Sequence, residues 1–177
     1  MKQPYRILFF TPFASRTGSE VMLWHLLRHV DRTKFRVGLV CFDRGELLAE
    51  VPDDVPVWVA PRNFSLWGKI SHQLGRNPLH AVVRQAHQSF KPDVWYLNTI
   101  TLPQVVDVAK DLDVPFVTHV HELPLSYGAI NRNEMRDALE RSRLLIGCSE
   151  TTSAALRQAT DHDRIVTLHS FIDTSAL

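Results

Sequence analysis

Short apolar runs recur along this chain, and helical patterns fill the gaps between them. No other feature narrows the fold so far. The runs occupy residues 7–10, 37–42, 55–59, 94–97, 116–120, 144–148 and 165–168. Most are continuous rather than alternating, the pattern of strands covered on both faces. Helical patterns at 20–30, 102–112, 135–142 and 152–159 lie between them. In the first, Leu23, Leu26, Leu27 and Val30 recur at three- and four-residue steps and form one apolar face. Strands alternating with helices predict βαβ units. The expected fold is α/β: a doubly wound, mostly parallel, Rossmann-like sheet of about seven strands with helices on both faces.

The length of 177 residues suits a single domain spanning 1–177. A domain of this size buries about 70% of its unfolded surface, enough for a core without covalent staples. Lys and Arg total 20 against 19 Asp and Glu, so the net charge is +1. That balance argues against a dedicated nucleic-acid binder, whose electrostatic footprint is strongly basic. The two cysteines, Cys41 and Cys148, exclude a disulfide scaffold or Cys-rich zinc site and read as small apolar strand residues. No apolar run approaches the ~20 residues of a membrane span. The start, Met1 to Arg6, leads into too few apolar residues for a signal peptide, so the expected location is the cytoplasm.

One connection stands apart. Residues 62–91 contain no Asp or Glu but carry Arg62, Lys69, Arg76, Arg84 and Lys91, with His72, His80 and His87. Phe64, Leu66, Trp67 and Ile70 are interleaved, and Gly75 and Pro78 split the stretch into two helices. It reads either as a solvated helix face with its aromatic residues in the core, or as a surface for anionic lipid at about 1 kcal/mol per cation.

Open parallel sheets bind ligands beyond the carboxyl ends of their strands, where strand order reverses. The residues to inspect are therefore those from Thr11 to Glu20, then Asn98 and Thr99, His121 and Glu122, and Ser149 and Glu150. Thr17-Gly18-Ser19-Glu20 has the spacing of a capping box, with Thr17 as N-cap and Glu20 three residues on. Gly18 leaves the backbone bare in the first turn, which suits a phosphate at a helix N-terminus, although a capped helix alone accounts for the same four residues. Neither G-x-G-x-x-G nor a P-loop is present, which argues against dinucleotide and NTPase chemistry.

His119 and His121 stand two apart at a strand end and face one side. A His-x-His pair can ligate a metal, but no further ligands stand out, so none is expected. His119, earlier in the strand, reads as a core residue. His121, at the crevice mouth, can donate a hydrogen bond or act in acid–base chemistry. Glu122 is either a ligand contact or a solvated turn residue. Ser149 either caps the following helix or binds ligand. Asp53-Asp54 precedes a strand rather than following one and reads as a turn, which weighs against a receiver-type phosphoryl site, whose acids follow the first strand.

With these residues in place, the sequence resembles the N-terminal domain of GT-B glycosyltransferases of family 4, also called glycosyl transferases group 1, over its whole length. That family opens with a strand, a Gly-Gly-x-Glu loop and a Leu-rich helix. Here the counterparts are 7–10, Thr17-Gly18-Ser19-Glu20 and 21–30. The stretch 31–50 resembles the next segment, with its strand and short acidic helix. KPDVWYLNT fills the fourth-strand position, VPFVTHVHEL resembles the segment whose fifth strand is followed by a histidine, and LLIGCSE the strand and serine before the last helix. RIVTLHSFIDTSAL resembles the stretch that usually reads Asn-Gly-Ile-Asp before a second domain. Thr17 departs from the first glycine of the loop, and Ser170-Phe171 from Asn-Gly.

The resemblance implies sugar transfer from a nucleotide-sugar donor to a glycan or lipid-linked acceptor, with retention at the anomeric carbon. In the family the donor's nucleotide lies mainly on a C-terminal domain, which this chain, read as the N-terminal half, is expected to lack. The N-terminal half supplies the acceptor side, a glycine-loop contact to the diphosphate and a histidine near the transferred sugar. Carried over, these are Gly18 and His121, with His121 as the catalytic candidate. Thr17, Asn98, Thr99, Glu122 and Ser149 complete the expected substrate contacts. Most of the family needs no metal, and no cofactor is expected. The fragment alone is expected to bind donor weakly and transfer nothing, with peripheral contact at the inner membrane face through 62–91. The competing reading is a non-enzymatic α/β module that holds a nucleotide or sugar phosphate.

Overall fold

The computed structural model describes residues 3–61, 77–122, 127 and 131–171. Seven strands form one sheet: β1 (Tyr5–Thr11), β2 (Phe35–Cys41), β3 (Val57–Val59), β4 (Val94–Leu97), β5 (Phe116–Val120), β6 (Leu144–Gly147) and β7 (Ile165–Thr167). Their order is β3-β2-β1-β4-β5-β6-β7, and every neighbouring pair is parallel. Five α-helices accompany them among the described residues: α1 (Gly18–His29), α2 (Pro78–Phe90), α3 (Pro103–Leu112), α4 (Arg132–Arg141) and α5 (Glu150–Ala159), with a 3-10 turn at Glu46–Glu50. The expected parallel α/β architecture is the one observed.

Both faces of the sheet are buried, which explains why the strand sequences run apolar without alternation. On β1, Leu8 and Phe10 join one core with Trp95, Leu97, Val105, Val106 and Leu139, beneath α2, α3 and α4. Phe9 points the other way and packs with Leu23, Trp24 and Leu27 of α1 and with Tyr96. Each fully buried leucine of α1 contributes about 1.5–3 kcal/mol relative to exposure. Trp24 also donates its indole N–H to the Leu47 carbonyl at 2.6 Å, which ties α1 to the 3-10 turn.

Element ends differ from the sequence pattern where local hydrogen bonds intervene. The run at 55–59 is a strand only from Val57, because the Val55 N–H turns back to the Pro52 carbonyl at 3.0 Å. Asp53 and Asp54 lie in that turn, and Asp54 holds Arg32 through two contacts of 2.5 and 3.1 Å. β6 stops at Gly147, so Cys148 is not a strand residue as its apolar context suggested.

In the third connection, α2 starts at Pro78, where the sequence placed a break. Asn77 caps it by accepting the Leu79 N–H at 2.9 Å. Residues 62–76, including Gly75 and the Phe64–Ile70 aromatic stretch, lie outside the described residues. In the described part, Arg84 pairs with Asp111 and His80 lies 4.0 Å from Asp107, both on α3. No helix among the described residues is long and apolar enough to cross a membrane.

Candidate functional site

The strand order reverses between β1 and β4: from β1 the chain crosses toward β2, from β4 toward β5. Beyond these two carboxyl ends the loops part and leave a crevice. Asn98, the first residue past β4, is fully buried there. Its backbone N–H extends the ladder to the Phe10 carbonyl at 2.9 Å, and its side-chain amide donates to the Ser19 carbonyl at 3.0 Å. Asn98 thus pins the first turn of α1 to the switch point rather than facing the crevice.

That first turn is built differently from a capping box. Thr17 is the N-cap residue by backbone geometry, but no side chain caps the helix. The Thr17 hydroxyl instead donates to the Glu20 carboxylate, which also accepts from Ser19 Oγ at 2.7 Å and from Thr11 Oγ1 at 3.3 Å. Glu20 is only 3% exposed, drawn inward to the end of β1. Its carboxylate is occupied by three hydroxyls, so Thr17 serves it and not the backbone. The N–H groups that open α1 therefore lack a side-chain acceptor. A Cβ added at Gly18 would meet no atom within 4 Å, so this backbone faces open space.

The second wall comes from the end of β5. His119 is fully buried, and its Nδ1 lies 2.6 Å from the Tyr96 hydroxyl. His121, two residues on, packs its ring against His119 with centroids 4.0 Å apart and the planes tilted by 41°. Burial holds the His121 pKa down at about 4. Burial, with the neighbouring His121 second, holds His119 down at about 3. Both imidazoles are therefore neutral near pH 7. Glu122 braces the same corner: it accepts the His121 backbone N–H at 3.1 Å and the Thr99 hydroxyl. Thr99 in turn accepts the Thr101 N–H at 3.1 Å.

These walls enclose a cavity of about 480 Å³, lined by Arg16, Thr17, Gly18, Ser19, Val21, Met22, His121, Cys148, Ser170 and Phe171. Of the residues named from sequence, Thr17, Gly18 and His121 meet in it. Asn98, Thr99, Glu122 and Ser149 do not line it. Ser149 caps α5 by accepting the Thr152 N–H at 3.1 Å. Arg16 falls within the stretch Thr11–Glu20 named from sequence, without having been singled out. The sequence reading missed Cys148, Ser170 and Phe171 as lining residues; Ser170 and Phe171 reach the cavity from the far end of the chain, and no local spacing marks them.

Chemically, the cavity offers unoccupied helix N–H groups at one wall and a neutral imidazole at the other, between apolar Val21, Met22 and Phe171. Among the described residues that line it there is no carboxylate. Such a surface suits an anionic group at α1 and a hydroxyl-rich or apolar group near His121. Among the described residues, no group of three His, Cys, Asp or Glu is placed to hold a metal ion.

The sequence matches the family model for Glycosyltransferase Family 4 over residues 16–176. No curated protein matches it. Among solved structures, the fold is similar to the Anabaena protein HepE, crystallised in complex with UDP and glucose, with a TM-score of 0.68 and 22% identity, covering 94% of this chain and 45% of that one. It is similar to sucrose-phosphate synthase of Thermosynechococcus elongatus (TM-score 0.65, 11% identity, 93% of this chain and 48% of that one). It is also similar to MurG of Acinetobacter baumannii (TM-score 0.64, 10% identity, 98% and 47%). The chain spans about half the length of these structures.

Proposed function

The chain belongs to glycosyltransferase family 4, and on that premise we propose that it is the N-terminal, acceptor-side half of a retaining enzyme that moves a sugar from a nucleotide-sugar donor to a glycan or lipid-linked acceptor. The observation that carries this reading is the meeting of Gly18 and His121 in one cavity at the strand-order reversal. The bare first turn of α1 fits the donor's diphosphate, whose charge grows as the glycosidic bond to the leaving group breaks. The neutral His121 ring fits a sugar hydroxyl, which it can hold as donor or acceptor. Under this reading, peripheral contact with an anionic membrane surface rests on Arg62, Lys69 and Arg76, because Arg84 is taken up by Asp111.

The test is transfer by the protein joined to its donor-binding domain, with His121→Ala compared to wild type. A well-placed preorganised group of this kind contributes about 3–4 kcal/mol, so turnover is expected to fall ~100-fold or more with the fold intact. Near-normal turnover would remove His121 from the mechanism. Binding of UDP without sugar transfer by the joined protein would favour a non-enzymatic module instead.

A further inference from the structure

Behind His121 lies a second histidine that the proposed reaction does not use. His119 has no exposed surface, and its ring is held from two sides. On one side its Nδ1 meets the Tyr96 hydroxyl at 2.6 Å, and on the other its ring lies against His121. Tyr96 is itself 8% exposed, and its ring packs on Phe9 with centroids 4.7 Å apart, so the phenol is fixed by the core. Burial also pushes the Tyr96 pKa up, so it stays a phenol.

The phenol keeps its proton, and among the described residues His119 Nδ1 is the partner shown for it. Either tautomer keeps this bond, since the phenol oxygen can donate to a bare Nδ1 or accept from a protonated one. The ring that backs His121 is thus fixed in place and in charge. The Nε2 atoms of His119 and His121 are both buried without a partner among the described residues.

We propose that His119 is a positioning residue: anchored by Tyr96, it sets the orientation and protonation of the His121 imidazole at the cavity wall. This rests on the reading of His121 as the group that faces the transferred sugar, but its test does not depend on transfer. A loosely held His121 would have to be oriented anew in each catalytic cycle, which preorganisation avoids.

The experiment is histidine nitrogen NMR on the 177-residue chain, comparing wild type with Tyr96→Phe and His119→Gln. Wild type is expected to show one hydrogen-bonded form of the His119 ring and a single His121 form. Tyr96→Phe is expected to shift the His119 and His121 ring signals and raise the His121 pKa by about one unit as water reaches the loosened pair. If His119→Gln does not fold, Tyr96→Phe decides alone. The proposal fails if Tyr96→Phe leaves the His121 signals and titration unchanged. It also fails if Val106→Ala, which opens the core on the opposite face of the sheet, moves them as much. If the His121 signals respond as expected while His121→Ala leaves transfer intact in the joined enzyme, the positioning claim stands and the catalytic role falls.

Discussion

Glu20 and Gly18 sit two residues apart and do opposite things. Glu20 gathers the hydroxyls of Thr11, Thr17 and Ser19 and locks the end of β1 to the start of α1. Gly18 touches nothing on its open side. Glu20→Ala should therefore destabilise the chain by about 1–3 kcal/mol, because the Thr17 and Ser19 hydroxyls lose their charged acceptor while Thr11 keeps only the Phe13 carbonyl. Gly18→Ala should leave the unfolding midpoint unchanged or slightly raised, since alanine favours a helix and meets no clash. The same substitution should weaken UDP binding, because the added methyl blocks close approach to the helix N–H groups. Urea unfolding and UDP titration of the two variants check both signs; unchanged UDP affinity in Gly18→Ala would mean that this open backbone is not used. The Thr17–Glu20 spacing did announce an interaction. Its direction was hidden, because what decides it is Thr11, a strand residue that only the folded sheet brings near.

Elements were legible where one kind of force dominated. The four-residue β4 and five-residue β5 match their apolar runs end to end, since both are buried on two faces and burial sets their limits. Ends governed by a single hydrogen bond, such as the late start of β3, were not legible. Helix starts marked by Pro78 and by Ser149 were, because proline geometry and side-chain capping are local. Gly147, at the end of β6, shows what periodicity cannot carry. A Cβ there would strike Ser153 Oγ and come within 2.8 Å of the Ser153 backbone N, so α5 seats on β6 only because the glycine is bare. Gly147→Ala should cost about 1–3 kcal/mol through overpacking. It should also perturb Cys148 at the cavity, which thermal unfolding together with the Cys148 amide signal would report. Full stability in that variant would contradict the close seating.

At the scale of the whole molecule, the parallel topology followed from runs alternating with helices, and topology alone located the crevice. It could not say which tips converge, because Arg16, Cys148 and Phe171 meet His121 only through the packing of distant segments. Holding two neutral histidines in that crevice has a global consequence. Their folded pKa values, about 3 and about 4, lie below the ordinary 6.5, so between those limits the unfolded chain binds more protons than the folded one. Stability is fully present above pH 6.5 and should fall as pH drops toward 4, by on the order of 1 kcal/mol per pH unit for each histidine. Denaturant midpoints at pH 7 and pH 5 should show this loss, and His119→Gln should reduce it. Equal midpoints in wild type would mean that the rings are not held neutral by burial. The most direct test of the central claim is titration of the 177-residue chain with UDP, followed by amide and histidine NMR. The account predicts that the Gly18 and Ser19 amides and the His121 ring shift together along one saturation curve. Shifts confined to residues away from the β1–β4 reversal, or Gly18 and His121 responding to different sites, would contradict it.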